Sequence, residues 1–136
     1  MKTVLVVILL LLLFPSTIQS VFGKVRSGDA LWSGYIRELR DSNCTHCSCA
    51  MVYLTLHADA GRVEVKLAPK SYFDEHGMNL RARDNIEISG FKNKENGKEI
   101  VIALRIRRGA ESLVMRSSTG LPMWDSNGDD RCRCSR

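Results

Sequence analysis

The 136-residue sequence predicts an all-β domain, a small barrel of five to six strands with one short helix between strands 3 and 4. Three observations predict it. Apolar and polar residues alternate along one segment after another, tight-turn residues separate those segments, and a single stretch between the third and fourth breaks the alternation. Period two sends successive side chains to opposite faces of a strand, so one face of each segment can enter a core while the other stays in water.

The elements follow in order. A first strand is expected through Trp32 to Leu39. From Met51 to His57, apolar Val52, Leu54 and Leu56 alternate with Tyr53, Thr55 and His57. A turn at Ala58–Gly61 leads into Arg62–Leu67, where Val63, Val65 and Leu67 share a face; the two segments read as a hairpin. Pro69 to Met78 carries Tyr72, Phe73 and Met78 as apolar contacts, with Gly77 near its end. It suits a short helix with proline at an early position. Asp84–Gly90 and Glu99–Ile106 return to the strand pattern, joined through Asn96-Gly97, a dipeptide that readily takes the positive φ of a tight turn. A last strand covers Ser112 to Arg116, ended by Ser117–Gly120 and Pro122. Three strands, a helix and two more strands is the layout of an OB-fold, in which the helix plugs one end of a small barrel. Barrel closure requires every strand to have an inner and an outer face. An immunoglobulin-like sandwich needs about seven strands and no such helix, and fits less well.

The N-terminus has a different grammar. Lys2 precedes an unbroken apolar run of eleven residues, Val4 to Phe14, which Pro15-Ser16-Thr17 ends; small residues follow at Ser20 and Gly23. That is the pattern of a secretory signal peptide, cut after Ser20 or Gly23. Eleven residues rise only about 16 Å as a helix, roughly half the hydrocarbon thickness, so a stable membrane span is not expected after cleavage. The expected organisation is a signal peptide over 1–23, a linker over 24–29, the barrel over 30–124 and a polar, cysteine-containing tail over 125–136. Removing the leader takes Lys2 and leaves 19 Lys and Arg against 15 Asp and Glu, a net charge of +4. Such mild basicity permits an acidic partner without demanding nucleic acid.

Several motifs, in order, carry a resemblance. Val65-Lys-Leu-Ala-Pro69 followed by Tyr72 resembles V-x-L-G-P-x-x-Y, with Ala68 in place of the glycine. Arg83–Gly90 resembles a G-D-x-V-x-V-x-G strand. Ala103–Gly109, Leu113–Arg116 and Gly120-Leu-Pro-Met-Trp124 resemble a closing A-x-x-V-x-x-G, L-x-L-R and G-x-P-x-W run. Over about residues 30–124 the chain resembles the bacterial OB-fold domain of MamS/MamX type, found in those magnetosome proteins and in other small exported proteins. The resemblance implies an exported or membrane-associated bacterial OB-fold domain with no established enzymatic activity.

Five cysteines remain to be placed: Cys44, Cys47 and Cys49 in N-C-T-H-C-S-C, and Cys132 and Cys134 in C-R-C. Some relatives in the resembled family carry covalent haem, which needs C-x-x-C-H. Here Ser48 follows Cys47 and His46 lies between the thiols, so haem is not expected. In an exported protein thiols oxidise, and disulfides that tie the loop before Met51 to the tail are the first expectation. A thiolate metal site that adds His46 stays open, with no particular metal indicated, as does a reversible Cys44–Cys47 redox pair. No other cofactor is expected.

No nucleophile–base pair, phosphate-cradling glycine loop or paired-carboxylate signature appears, so an enzyme is not expected. The outward-facing Tyr35, Tyr53 and Phe91, with Lys92, Lys94, Lys98, Arg105 and Arg107, are the candidate ligand face. Stacking aromatics beside cations would also suit single-stranded nucleic acid, a reading that rests on fold analogy alone and sits poorly with export. The expected function is a periplasmic or secreted binding module of the bacterial envelope, its partner an envelope protein or small ligand. A metal-handling or thiol-redox protein is the alternative, and the sequence leaves oligomeric state open.

Overall fold

The computed structural model describes residues 29–42 and 50–125. Six strands and one helix appear in the order β1 (Ala30–Asp41), β2 (Met51–Ala58), β3 (Gly61–Pro69), α1 (Lys70–Glu75), β4 (Asn85–Glu95), β5 (Lys98–Arg108) and β6 (Glu111–Val114). They form one sheet ordered β3-β2-β1-β4-β5-β6, in which β3 also meets β5. That last pairing is parallel and consists of Val65 opposite Val101 and Lys66 opposite Ile102. The sheet therefore curls into a ring, β1-β2-β3-β5-β4, closed unevenly by a two-residue seam, with β6 on the far edge of β5. The mostly-β, barrel-like fold with one short helix between the third and fourth strands is as the sequence predicts.

Alternation fills the barrel. Ile36, Leu54, Leu56, Val65, Leu67, Ile88, Ile106 and Met115 lose all contact with solvent, and α1 adds Tyr72 and Phe73 to the same cluster. Burying an aliphatic side chain of this size contributes about 1.5–3 kcal/mol, which is why two-faced strands drive the closure. Two glycines allow the tight coiling. A Cβ on Gly34 would sit 2.1 Å from the His57 carbonyl oxygen, and one on Gly90 would sit 2.1 Å from that of Ile102. Irregularities in register fall close by, between Ile36 and Glu38 and between Ser89 and Gly90, where the strands bend most.

Element limits differ from the sequence reading in instructive ways. The helix is six residues, not ten: Pro69 is its N-cap with extended backbone, and Gly77 at φ 66° turns the chain just after it. Strand β4 runs on from Gly90 to Glu95, held by pairing with β5 rather than by burial. In β5 the run Ile100–Leu104 is buried on both faces instead of alternating. A continuous apolar run is what such a doubly covered strand requires. Among the described residues no helix is long and apolar enough to cross a membrane. The expected signal peptide and its cleavage sites, nearly all of the linker, Cys44, His46, Cys47, Cys49, Cys132 and Cys134 lie outside the described residues.

Candidate functional site

Residues opposite one another on paired antiparallel strands project to the same side. On the outside of the barrel this sets up two neighbouring rows across β1, β2 and β3. One is Arg40–Tyr53–Lys66; the other is Glu38–Thr55–Glu64. The rows are laced together at Glu64, whose carboxylate accepts from the Arg40 guanidinium and from Thr55 Oγ1, the latter at 2.9 Å. Thr55 is almost fully buried, so its hydroxyl needs this acceptor.

Across the seam stands the β4–β5 hairpin. It turns through Asn96 (φ 50°) and Gly97 (φ 77°), the two positive-φ positions that the Asn-Gly dipeptide supplies. Lys66 Nζ reaches over the seam to Glu95 Oε1 at 2.8 Å, and the Lys66 side chain is only 11% exposed. Between these walls lies a groove of about 430 Å³. Arg40, Tyr53 and Glu64 line one side, and Glu95, Asn96 and Lys98–Ile100 line the other. Glu99 is engaged by Lys92 at 3.2 Å. Every carboxylate in the groove thus has a cation: Arg40 for Glu64, Lys66 for Glu95, Lys92 for Glu99. Among the described residues no carboxylate lies within ion-pair distance of the exposed Lys94 or Lys98.

Two further polar clusters hold the frame. Arg108 bridges Asp84 and Glu111, each at 2.9 Å, and also donates to the Asn79 carbonyl oxygen. The Arg108 hydrogen bond, helped by the Arg81 backbone N–H, holds the Asp84 carboxyl below the usual carboxylate range despite its partial desolvation. Arg108 is raised in turn, first by Asp84 and then by Glu111. Elsewhere Tyr72 donates its hydroxyl to the Val114 carbonyl oxygen at 2.7 Å, and burial, with Glu75 as the smaller cause, pushes its phenol up. The Tyr72 ring meets His76 at 4.2 Å and Trp124 edge-on at 5.8 Å. His76 Nδ1 lies 2.8 Å from the Tyr72 carbonyl oxygen, which fixes the ring beside the helix end.

The eight residues expected on one ligand face separate into groups. Tyr53 and Lys98 line the groove, and Lys92 and Lys94 stand on the same hairpin. Tyr35 is exposed and stacked on His57 at 4.9 Å, five residues along β1 from Arg40 and outside the groove. Phe91 is half-buried against the turn at Gly120, where even an added methyl would meet its ring at 3.7 Å. Arg105 projects from β5 in a row with Leu31, Ser89 and Val114, and Arg107 is paired with Glu87 at 2.8 Å. Arg40, Glu64, Glu95 and Asn96 were not singled out from the sequence. Arg40 carries a signal in hindsight, a polar position in phase with Tyr53, but only the register places them side by side.

A family model described as the MamS/MamX magnetosome protein family matches residues 31–113, from the second residue of β1 to the third of β6. No curated protein matches the chain.

Proposed function

This chain belongs to the MamS/MamX magnetosome protein family, and we propose that it is a non-catalytic, exported binding module whose ligand occupies the groove between β1–β3 and the β4–β5 hairpin. One observation carries the reading: the groove is built from both sides of the barrel seam, and its three carboxylates are already held by cations. A site whose charged groups are fixed before the ligand arrives loses less entropy on binding than one that must order them. Export follows from the leader pattern of residues 1–23, and in this reading the cysteines serve mainly as one or two cross-links between the loop before Met51 and the tail, with one of the five thiols left over.

Site-specific photo-crosslinking in magnetosome-forming cells tests it. A photoreactive residue replacing Tyr53 in the groove is expected to yield a discrete adduct. The same residue at Arg81, which lies before β4 and so far from the hairpin tip, is expected to yield none. Adducts at neither position, or equally at both, would overturn the groove as the site. Recovery of a soluble cytosolic chain with its leader still attached would overturn export.

A further inference from the structure

Resting on that groove reading, we propose that the ligand is a short acidic peptide in extended conformation, hydrogen-bonded to the main chain where β3 and β5 part company. These strands pair only at Val65–Val101 and Lys66–Ile102. The parallel register brings Glu64 and Ile100, then Val63 and Glu99, to the same levels, yet no ladder joins them. Each segment is paired on its other side, Val63 and Glu64 with β2 and Lys98–Ile100 with β4. Among the described residues each therefore keeps one edge open, and Glu64 and Lys98–Ile100 are walls of the groove. An open strand edge is a template for another strand, which adds by main-chain hydrogen bonds. A helix about 10–12 Å across would not fit a 430 Å³ groove at any useful length, whereas a few extended residues would.

Charge selects the acidic peptide. With Glu64, Glu95 and Glu99 each engaged by a cation, the lining cation that no carboxylate of the described residues engages is Lys98, and Lys94 adds a second such charge on the same hairpin, outside the lining. A single nucleic-acid strand would need a run of stacking aromatics. Of the exposed or half-buried candidates only Tyr53 lines the groove, since Tyr35 is stacked on His57 and Phe91 lies under the Gly120 turn.

The test uses the purified, processed protein and fluorescence anisotropy with four labelled probes: (Val-Asp)3, (Val-Lys)3, (Val-Asp)3 with alternate backbone nitrogens methylated, and a twelve-nucleotide oligo-dT. The acidic peptide is expected to bind, the methylated and basic peptides to bind at least tenfold more weakly, and K98E to weaken the acidic peptide by a similar factor. Lys98 is exposed beside the turn, so K98E is expected to fold, as unchanged circular dichroism would verify. Equal binding of the methylated peptide would overturn the main-chain contact. Tighter binding of the basic peptide or the oligonucleotide, or no binding of any probe, would overturn the acidic strand. A Tyr53 crosslink without peptide binding would sink this inference alone and leave the groove reading intact.

Discussion

The guanidinium carbon of Arg116 lies 4.8 Å from the ring centroid of Trp124, and Arg116 Nη1 donates to the Ala103 carbonyl oxygen at 2.6 Å. Only 1% of Arg116 is exposed. The cation thereby fastens the segment after β6 to β5, between an aromatic face and a backbone carbonyl. R116M keeps an apolar stem of similar length but strands that carbonyl. The variant should lose about 1.5–3 kcal/mol, the range for a hydrogen bond to a charged group, read as a lower urea midpoint by tryptophan fluorescence.

Tyr72 offers a milder change at the same place. Y72F keeps the ring against Trp124 and His76 and removes only the hydroxyl that serves the Val114 carbonyl oxygen. A loss of about 1 kcal/mol is expected, with an unchanged denaturant slope because the buried surface stays the same.

Two glycines should respond to alanine very differently. At Gly90 the new Cβ would collide with the Ile102 carbonyl oxygen at 2.1 Å, which backbone pairing on that strand cannot relieve. G90A should cost about 3 kcal/mol, the upper end for overpacking. At Gly97 a Cβ meets nothing, and only φ 77° penalises it. G97A should cost about 1–2 kcal/mol. Thermal unfolding of both variants checks the order.

Acid stability should report on Asp84. Its folded-state carboxyl titrates below the ordinary value because of Arg108, so on acidification the unfolded chain takes up the proton first. The pair's contribution is therefore complete above the ordinary carboxylate range and fades as pH falls through the lowered folded value. Denaturant midpoints followed from pH 7 to pH 3 should drop less steeply in D84N than in the parent, and D84N should start from a lower midpoint at pH 7.

Much of this frame is legible in the sequence, and the rest is hidden for physical reasons. The β2–β3 hairpin announces itself because each strand buries one face, and Asn96-Gly97 marks the second hairpin because few other dipeptides take two positive φ angles cheaply. The extension of β4 through Lys92, Asn93 and Lys94 is invisible to a burial pattern, since those residues are exposed and only their register with β5 makes them a strand. The groove is less legible still. Arg40, Glu64 and Glu95 come from three strands, and their meeting depends on a bulge in β1 and on where the seam stops pairing. Tyr53 and Lys98 could be picked out as outward positions of one ligand face, but not placed on the two facing walls of a groove.

The two-residue seam also bears on how the molecule assembles. Val65 and Val101 come from different hairpins, with α1 and the whole of β4 between them along the chain. Bringing such distant points together carries a loop-closure cost that local turns escape, and chains dominated by non-local pairings fold slowly. The β2–β3 and β4–β5 hairpins would thus form early, while the parallel contact that joins them would come late, governing the refolding rate and giving way first in native-state hydrogen exchange.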